Sequence, residues 1–467
     1  MSVITITALV IFAVTYVLMM AFQKIRPYVA LGSALIFVIL GVIAAIKPDL
    51  FGQNFFSLQD GSSYSYGIVE ALKEIDWNVI MMIAGTMGTV YLFIESKMPQ
   101  LMSDVLISKM PNVKWVIVAL SLFAGIVSAF VDNVATVLMI APVALALCKK
   151  LNISPVPSII CIAVSSNLQG AATLVGDTTS ILLAKAANLD FSSFFVDEGK
   201  PGMFWVVEAG ALVSAFIIYF MLRKENKKIE FNSRTVVEDK FPTFLLVGTV
   251  AALIAVSFIP YKSTAKDGQF YKPEITNGII CVTFFLIGVI RELFRKRFTV
   301  IKNAFKEIDY YTIALLAGLF IVIGGIKKAG VIEVIGKTIA KVGDSGQDAG
   351  KIFIVYTVIV WVSVLLSAFI DNIPYTATML AKIPTIAGQI GMASAGISPK
   401  LLYYGLLCGA TLGGNLTPIG ASANIAGIGI LRKEGYEVKT TTFMKYGVPF
   451  TLAAVITGYV LLWIIWA

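Results

Sequence analysis

The chain contains no histidine and only four cysteines among 467 residues. Without imidazole, a zinc-type metal site is not expected. Any proton coupling must run through carboxylates, lysines, tyrosines or water. Cys148, Cys161, Cys281 and Cys408 all fall in apolar stretches, and none is spaced as C-x-x-C. They read as packing residues rather than disulfides or metal ligands. Charge is also scarce. Asp, Glu, Lys and Arg make up 14% of the chain, against about a quarter in soluble proteins. The first apolar run, residues 3–23, lacks the basic segment and cleavage site of a secretory leader. A second run follows at once, so the first is expected to be a retained helix.

What the chain has instead is apolar length. It is 58% hydrophobic, with a mean hydropathy of +0.86. Uncharged runs of membrane-spanning length, about 20 residues each, occupy 3–23, 28–46, 241–260, 275–290 and 446–467, and Glu208 alone interrupts 202–222. An all-α membrane protein follows, with the lipid bilayer as its surroundings. The net charge of +9 would suggest nucleic acid in a soluble protein. Here the basic residues gather in short loops between apolar runs, the positive-inside pattern, and no nucleic-acid partner is expected.

Three blocks recur in the same order. IDWNVIMMIAG (75–85) resembles IDYYTIALLAG (308–318), SAFVDN (128–133) resembles SAFIDN (367–372), and LQGAATLVGDTTSI (168–181) resembles LGGNLTPIGASANI (412–425). The chain therefore divides into a first repeat, 1–222, a polar linker, 223–240, and a second repeat, 241–467. The linker is expected to be a solvent-exposed connection on the cytoplasmic side. Expected spans in the first repeat are 3–23, 28–46, 77–95, a broken helix at 155–187, and 202–222. Those in the second are 241–260, 275–291, 309–326, a broken helix at 400–431, and 446–467. Residues 115–148 and 352–388 each read as a re-entrant helical hairpin, two apolar arms meeting at Asp-Asn. Five spans per repeat is an odd number, so the second repeat enters the membrane inverted relative to the first. With the linker in the cytoplasm, most of the 37 lysines and arginines fall on that side, including Arg291, Arg295, Lys296 and Arg297. Both termini are then outside, in what is expected to be a bacterial inner membrane.

Ionisable residues in apolar segments point to function. Asp132 and Asp371 sit at the hairpin tips, where an arm of about 16 residues reaches roughly 24 Å from the membrane face. Asp-Asn is also a good N-cap for the returning arm, and the two roles are compatible. Asn133, Asn372 and the arm residues Thr136 and Thr376 join the tips. A second constellation interrupts the broken helices: Asn167, Gln169, Gly170, Thr173, Gly176, Asp177, Thr178, Thr179 and Ser180 in the first repeat. Its counterpart is Gly413, Gly414, Asn415, Thr417, Pro418, Gly420, Ser422 and Asn424. Glycine and proline break helices there, and irregular backbone at membrane depth is tolerated only where protein or a wet cavity satisfies it. A small-residue packing interface would also use the glycines; the interleaved Asn, Thr and Asp favour a binding site. The halves are not identical. Asp177 stands opposite Ala421, and Thr136 opposite Tyr375. Glu208 fits a proton relay or a residue near the outer interface. Lys382 is expected to snorkel outward, and Asp76 and Asp309 to cap their helices.

SAFVDNVATVLMIAPV and SAFIDNIPYTATM, with NLQGAATLVGDTTSILLA and GATLGGNLTPIGASANIAG, resemble the ion transporter superfamily. They are most similar to its ArsB/NhaD/P-protein branch of arsenite permeases, sodium/proton antiporters and the melanosomal P protein. Members of the P-protein branch read Gly-Asp-Pro-Pro-Asn where this chain has Gly176-Asp177-Thr178-Thr179-Ser180. Divalent anion/sodium symporters, more distantly similar, carry Ser-Asn-Thr at the tips. The resemblance implies that Asp132, Asn133, Asp371 and Asn372 bind sodium and substrate. It also implies a scaffold domain, a mobile transport domain and a homodimer. Two aspartates beside a low-dielectric site disfavour a bare anion. The leading expectation is a non-enzymatic sodium/proton antiporter with no cofactor beyond its coupling ion, sodium or a proton. Proton-coupled efflux of neutral arsenite or silicic acid, and cation-coupled organic anion transport, are the alternatives. An intramembrane aspartyl protease does not fit, because Gly176-Asp177 lacks the spaced preceding glycine of that signature. A channel would differ in turnover and saturation.

Overall fold

A computed structural model describes residues 2–22, 25–52, 54–58, 62–223, 226–227, 235–237, 239–259, 272–331, 349–369 and 372–467. It is mostly helical. The first part of the chain forms α1 (Val3–Ala21), α2 (Arg26–Ile46), α3 (Ile68–Glu74), α4 (Trp77–Glu95), α5 (Met98–Ser108), α6 (Val113–Ser128), α7 (Asn133–Lys150), α8 (Val156–Gly170), α9 (Thr178–Ala187) and α10 (Met203–Met221). A short antiparallel pair, β1 (Val196–Asp197) and β2 (Lys200–Pro201), precedes α10. The second part forms α11 (Phe241–Ser257), α12 (Thr276–Phe294), α13 (Phe298–Lys306), α14 (Tyr310–Lys328), α15 (Ala349–Ser367), α16 (Asn372–Leu380), α17 (Ile383–Gln389), α18 (Lys400–Gly413), α19 (Ser422–Lys433) and α20 (Thr440–Trp466). Eight helical stretches among the described residues are long and apolar enough to cross a membrane.

Two compact units emerge, and each draws on both halves of the sequence. One comprises residues 1–80, 309–355 and 377–399; the other comprises 81–308, 356–376 and 400–467. In the smaller unit α14 packs against α1 and α2. Glycine permits that approach: a Cβ on Gly318 would come within 2.8 Å of the Ala30–Leu31 backbone. Asp309 caps α14, accepting from the Thr312 N–H at 3.0 Å, and Asp76 accepts from the Val79 N–H at 3.1 Å, as their helix-start positions predict.

In the larger unit α6 and α7 form a helical hairpin that packs on α8. Its core is aliphatic, with Val137, Ile140, Ala141, Ile159, Ile162 and Ala163 all buried. Helix breaks at the glycine-rich stretches separate α8 from α9 and α18 from α19, as expected.

Three features depart from the sequence reading. The short helices α3, α5 and α13 fall between the expected spans. The returning arm of the second hairpin stops at Leu380 and restarts at Ile383, because Pro384 has no N–H to offer the Leu380 carbonyl four residues back and its ring crowds that carbonyl. Lys382 therefore lies in a break rather than along a continuous helix, with its ammonium 5.5 Å from the centre of the Phe12 ring. The linker is not a free connection at its described C-terminal end. Asp104 on α5 accepts from the Thr235 N–H at 2.7 Å, and Asp239 accepts from Arg291 at 2.7 and 3.0 Å.

Candidate functional site

The first hairpin turns at residues 129–132, and Asp132 caps the returning arm. One carboxylate oxygen accepts from the N–H groups of Val134 and Ala135, both at 3.0 Å. The helix N-terminus thereby compensates a half-buried charge. Asp371, the matching residue in the second repeat, lies outside the described residues. Its neighbour Asn372 begins α16 and is buried, as Asn133 is in the first repeat.

The two tips meet the two broken helices through matching contacts. A Cβ on Gly176 would lie 2.5 Å from the Gly170 carbonyl oxygen, 2.7 Å from that of Ser128 and 2.8 Å from that of Ala129. A Cβ on Gly420 would lie 2.5 Å from the Gly414 carbonyl oxygen, 2.8 Å from that of Ser367 and 2.9 Å from that of Ala368. The Thr173 hydroxyl donates to the Ala129 carbonyl, and the Thr417 hydroxyl donates to the Ala368 carbonyl. Backbone can approach backbone this closely only where one partner has no side chain. The contact made by Gly170 and Gly176 therefore recurs at Gly414 and Gly420; Gly176 and Gly420 are the docking positions between hairpin and broken helix, and Gly170 and Gly414 pack within the broken helices themselves. One step along, the sizes trade places. Gln169 fills the space over Gly125, whereas Gly413 accommodates the backbone of Val364.

Asn167 joins the two repeats at the centre of this unit and is fully buried. Its carbonyl oxygen accepts from the Asn133 amide at 3.2 Å. Its amide donates to the Thr411 carbonyl at 2.8 Å and to the Asn415 side-chain oxygen at 3.1 Å. The Asn415 amide in turn donates to the Val164 carbonyl at 2.8 Å. Asp177 is buried beside this network and accepts from the Thr179 hydroxyl at 2.8 Å, which shares a 2.9 Å hydrogen bond with the Thr411 hydroxyl. Asn424 donates to the Gly414 and Thr417 carbonyls, both at 3.2 Å.

Several acceptors in this region have no hydrogen-bond partner among the described residues. They are the hydroxyls of Ser128, Thr136, Ser180 and Thr376 and the side-chain carbonyl oxygens of Gln169 and Asn424. Ser180 and Asn424 hold the same place in the aligned broken helices. Ser422 is not brought in; it is exposed on α19. Thr411 and Ser166, whose hydroxyl donates to the Asn133 carbonyl at 2.9 Å, belong to the network but were not singled out from sequence. Thr411 aligns with Asn167 between the repeats, a signal that could have found it. Tyr375, where the first repeat has Thr136, bonds Ser363 at 2.9 Å and ties the arms of the second hairpin together. Glu208 on α10 likewise has one buried carboxyl oxygen without a partner among the described residues.

The fold recurs in solved transporters. The YdaH transporter of Alcanivorax borkumensis superposes with a TM-score of 0.58 at 14% identity, over 94% of this chain and 97% of that one. The Neisseria gonorrhoeae protein MtrF gives 0.54 at 16% identity, over 93% and 94%. By sequence, the chain is 26% identical over 466 residues to the uncharacterized transporter Rv2685 of Mycobacterium tuberculosis, covering 98% of each. It is 26% identical over 458 residues to the human P protein, covering 84% of this chain and 54% of that protein. The profile of the family CitMHS, described as citrate transporter, matches residues 8–409. A polytopic helical chain with a buried polar centre, matched by that profile over most of its length, is a non-enzymatic membrane transport protein and belongs to the CitMHS family.

Proposed function

We propose that the chain is a secondary active transporter that binds sodium at the hairpin tips and broken helices and exchanges it for protons. The supporting observation is the set of buried oxygens without a hydrogen-bond partner among the described residues, on Ser128, Thr136, Gln169, Ser180, Thr376 and Asn424. A buried polar group left unpaired costs about 1–3 kcal/mol, so six in one unit favour a resident partner for their oxygens. A small hard cation meets that need with oxygen ligands. Asp132, Asn133, Asp371 and Asn372 supply the tip ligands in this reading. Protons compete at Asp132, Asp177 and Asp371, the carboxylates of the same region.

The matched contacts around Gly176 and Gly420 support reading the halves as inverted repeats that alternate access to one site. The linker is read as cytoplasmic, the membrane as a bacterial inner membrane, and the assembly as a homodimer.

A second reading, cation-coupled transport of a carboxylate, is favoured by the description of the matching family. Such a cargo would need a co-bound cation. The buried lysines and arginines among the described residues are engaged elsewhere: Arg26 with the Met19 carbonyl, Lys114 over the Tyr219 ring, and Lys272 with Asp190.

Proteoliposomes carrying a pH-sensitive dye decide between these. An imposed sodium gradient is expected to drive saturable proton movement in the opposite direction. Citrate uptake that requires sodium, without such proton movement, would replace the first reading with the second. No sodium-driven proton movement at any pH, together with no citrate uptake under any cation gradient, would reject both.

A further inference from the structure

A different cavity, of about 430 Å³, lies where α4 and α12 end and the linker enters α11. We propose that it binds the phosphate of an anionic phospholipid whose acyl chains lie against Phe294 and Phe298. The argument begins with its depth. Both α4 and α12 are of membrane-spanning length, so a cavity at their C-terminal ends sits at the level of the lipid headgroups. Helix C-termini favour cations, and this one carries Arg291, Arg295 and Arg297.

Three carboxylates, Glu95, Asp239 and Glu292, face the arginines, and each is met by at least one guanidinium, Glu95 by Arg297 at 3.5 Å. Glu292 is buried and accepts from Arg291 at 2.9 Å and from Arg297 at 3.2 Å. Asp239 accepts from Arg291 at 2.7 and 3.0 Å and from Arg295 at 2.6 Å. Burial alone would raise the Asp239 carboxyl, but hydrogen bonds from Arg291 and the Phe241 N–H, with the charges of Arg291 and Arg295, hold it below the usual range. Asp239 is therefore ionised, and both it and Glu292 are already occupied by guanidinium donors. A guanidinium has five N–H donors. Arg295 commits one terminal nitrogen to Asp239, leaving its other donors directed at no described acceptor. Lys97, also in the lining, has no carboxylate partner among the described residues. The cavity offers spare N–H groups and an ammonium with no carboxylate partner among the described residues, which suits a phosphate and not a metal ion.

The rim identifies a lipid as the source of that phosphate. Phe294 is 82% exposed and Phe298 is 61% exposed, directly beside Arg295 and Arg297 in the chain. Aromatic rings next to cations at a helix end form an interfacial anchor, whereas a soluble anion would make no use of them.

Native mass spectrometry of protein released from mixed phosphatidylcholine and phosphatidylglycerol bilayers tests the assignment. Wild-type protein is expected to retain phosphatidylglycerol in preference to phosphatidylcholine. Lys97→Gln, which breaks no pair, should lower that preference about fivefold, and Phe298→Ala should lower retention further without altering the fold. Added inorganic phosphate should leave the lipid in place. Equal retention of the two lipids by wild-type protein, or undiminished preference in Lys97→Gln, overturns the proposal. Displacement of the lipid by inorganic phosphate overturns it as well and assigns the cavity to a soluble anion. None of these outcomes depends on which cargo the transporter carries.

Discussion

Alanine at Gly176 or Gly420 is expected to abolish transport and to lower the unfolding midpoint by several degrees. Each new methyl would meet three carbonyl oxygens, at 2.5–2.8 Å for Gly176 and at 2.5–2.9 Å for Gly420. These are backbone atoms of a hairpin tip and a broken helix, so no side chain can turn aside to make room. Overpacking a tight interior costs about 1–3 kcal/mol, and here relief requires moving the tip off the broken helix. Gly429 is the control. It lies in α19, and a Cβ there meets nothing within 4 Å. Alanine at that helical position should be neutral or stabilising by up to about 1 kcal/mol. The measurement is a thermal unfolding series in detergent beside uptake in proteoliposomes. Wild-type uptake by Gly176→Ala would show that the hairpin and the broken helix need not stay docked at this contact.

Asn167→Ala should be nearly as damaging. It leaves the Asn133 amide, the Thr411 carbonyl and the Asn415 side-chain oxygen without their partner at a site closed to water. Each abandoned buried group costs about 1–3 kcal/mol, so a loss beyond about 3 kcal/mol is expected. Asn167→Asp should be no better, because it turns an acceptor toward two acceptors. Asn415→Ala provides the coupling test. The double variant should lose clearly less than the sum of the single losses, since both remove one shared bond. Additive losses would separate the two asparagines into independent structural roles.

Much of this arrangement was legible in the residues. Apolar length predicted where the long helices lie, although the arms Asn133–Lys150 and Gly350–Ser367 are themselves of spanning length, and SAFVDN with its charged flanks predicted the α6–α7 hairpin and its cap at Asp132. The glycine-rich stretches predicted where α8 and α18 end. What stayed hidden follows from the physics of each element. The helices α3, α5 and α13 are too short for a span threshold and too polar to register as apolar runs. Asp104 carries no signal in the sequence, because its partner, Thr235, is distant along the chain. Pro384 was visible, but the proline did not say that Leu380 would end the preceding arm. The glycines around Gly176 and Gly420 were read as site residues, whereas their immediate role is to let carbonyls approach. Ser422 shared the spacing of its neighbours yet faces outward, since helix phase after a break is not fixed by spacing before it. Asn167 was legible as polar in an apolar run; its link to Asn415 of the other repeat needed the structure.

Equilibrium binding of radioactive sodium to purified protein tests the cation site most directly. Wild-type protein should bind sodium saturably, and acidification should weaken that binding. A variant combining Thr136→Val, Ser180→Ala and Thr376→Val, which gives up no hydrogen bond among the described residues, should lose it while remaining folded, and Gly429→Ala should retain it. Absence of saturable sodium binding at every pH, or undiminished binding by the triple variant, would contradict the assignment of those oxygens to a cation.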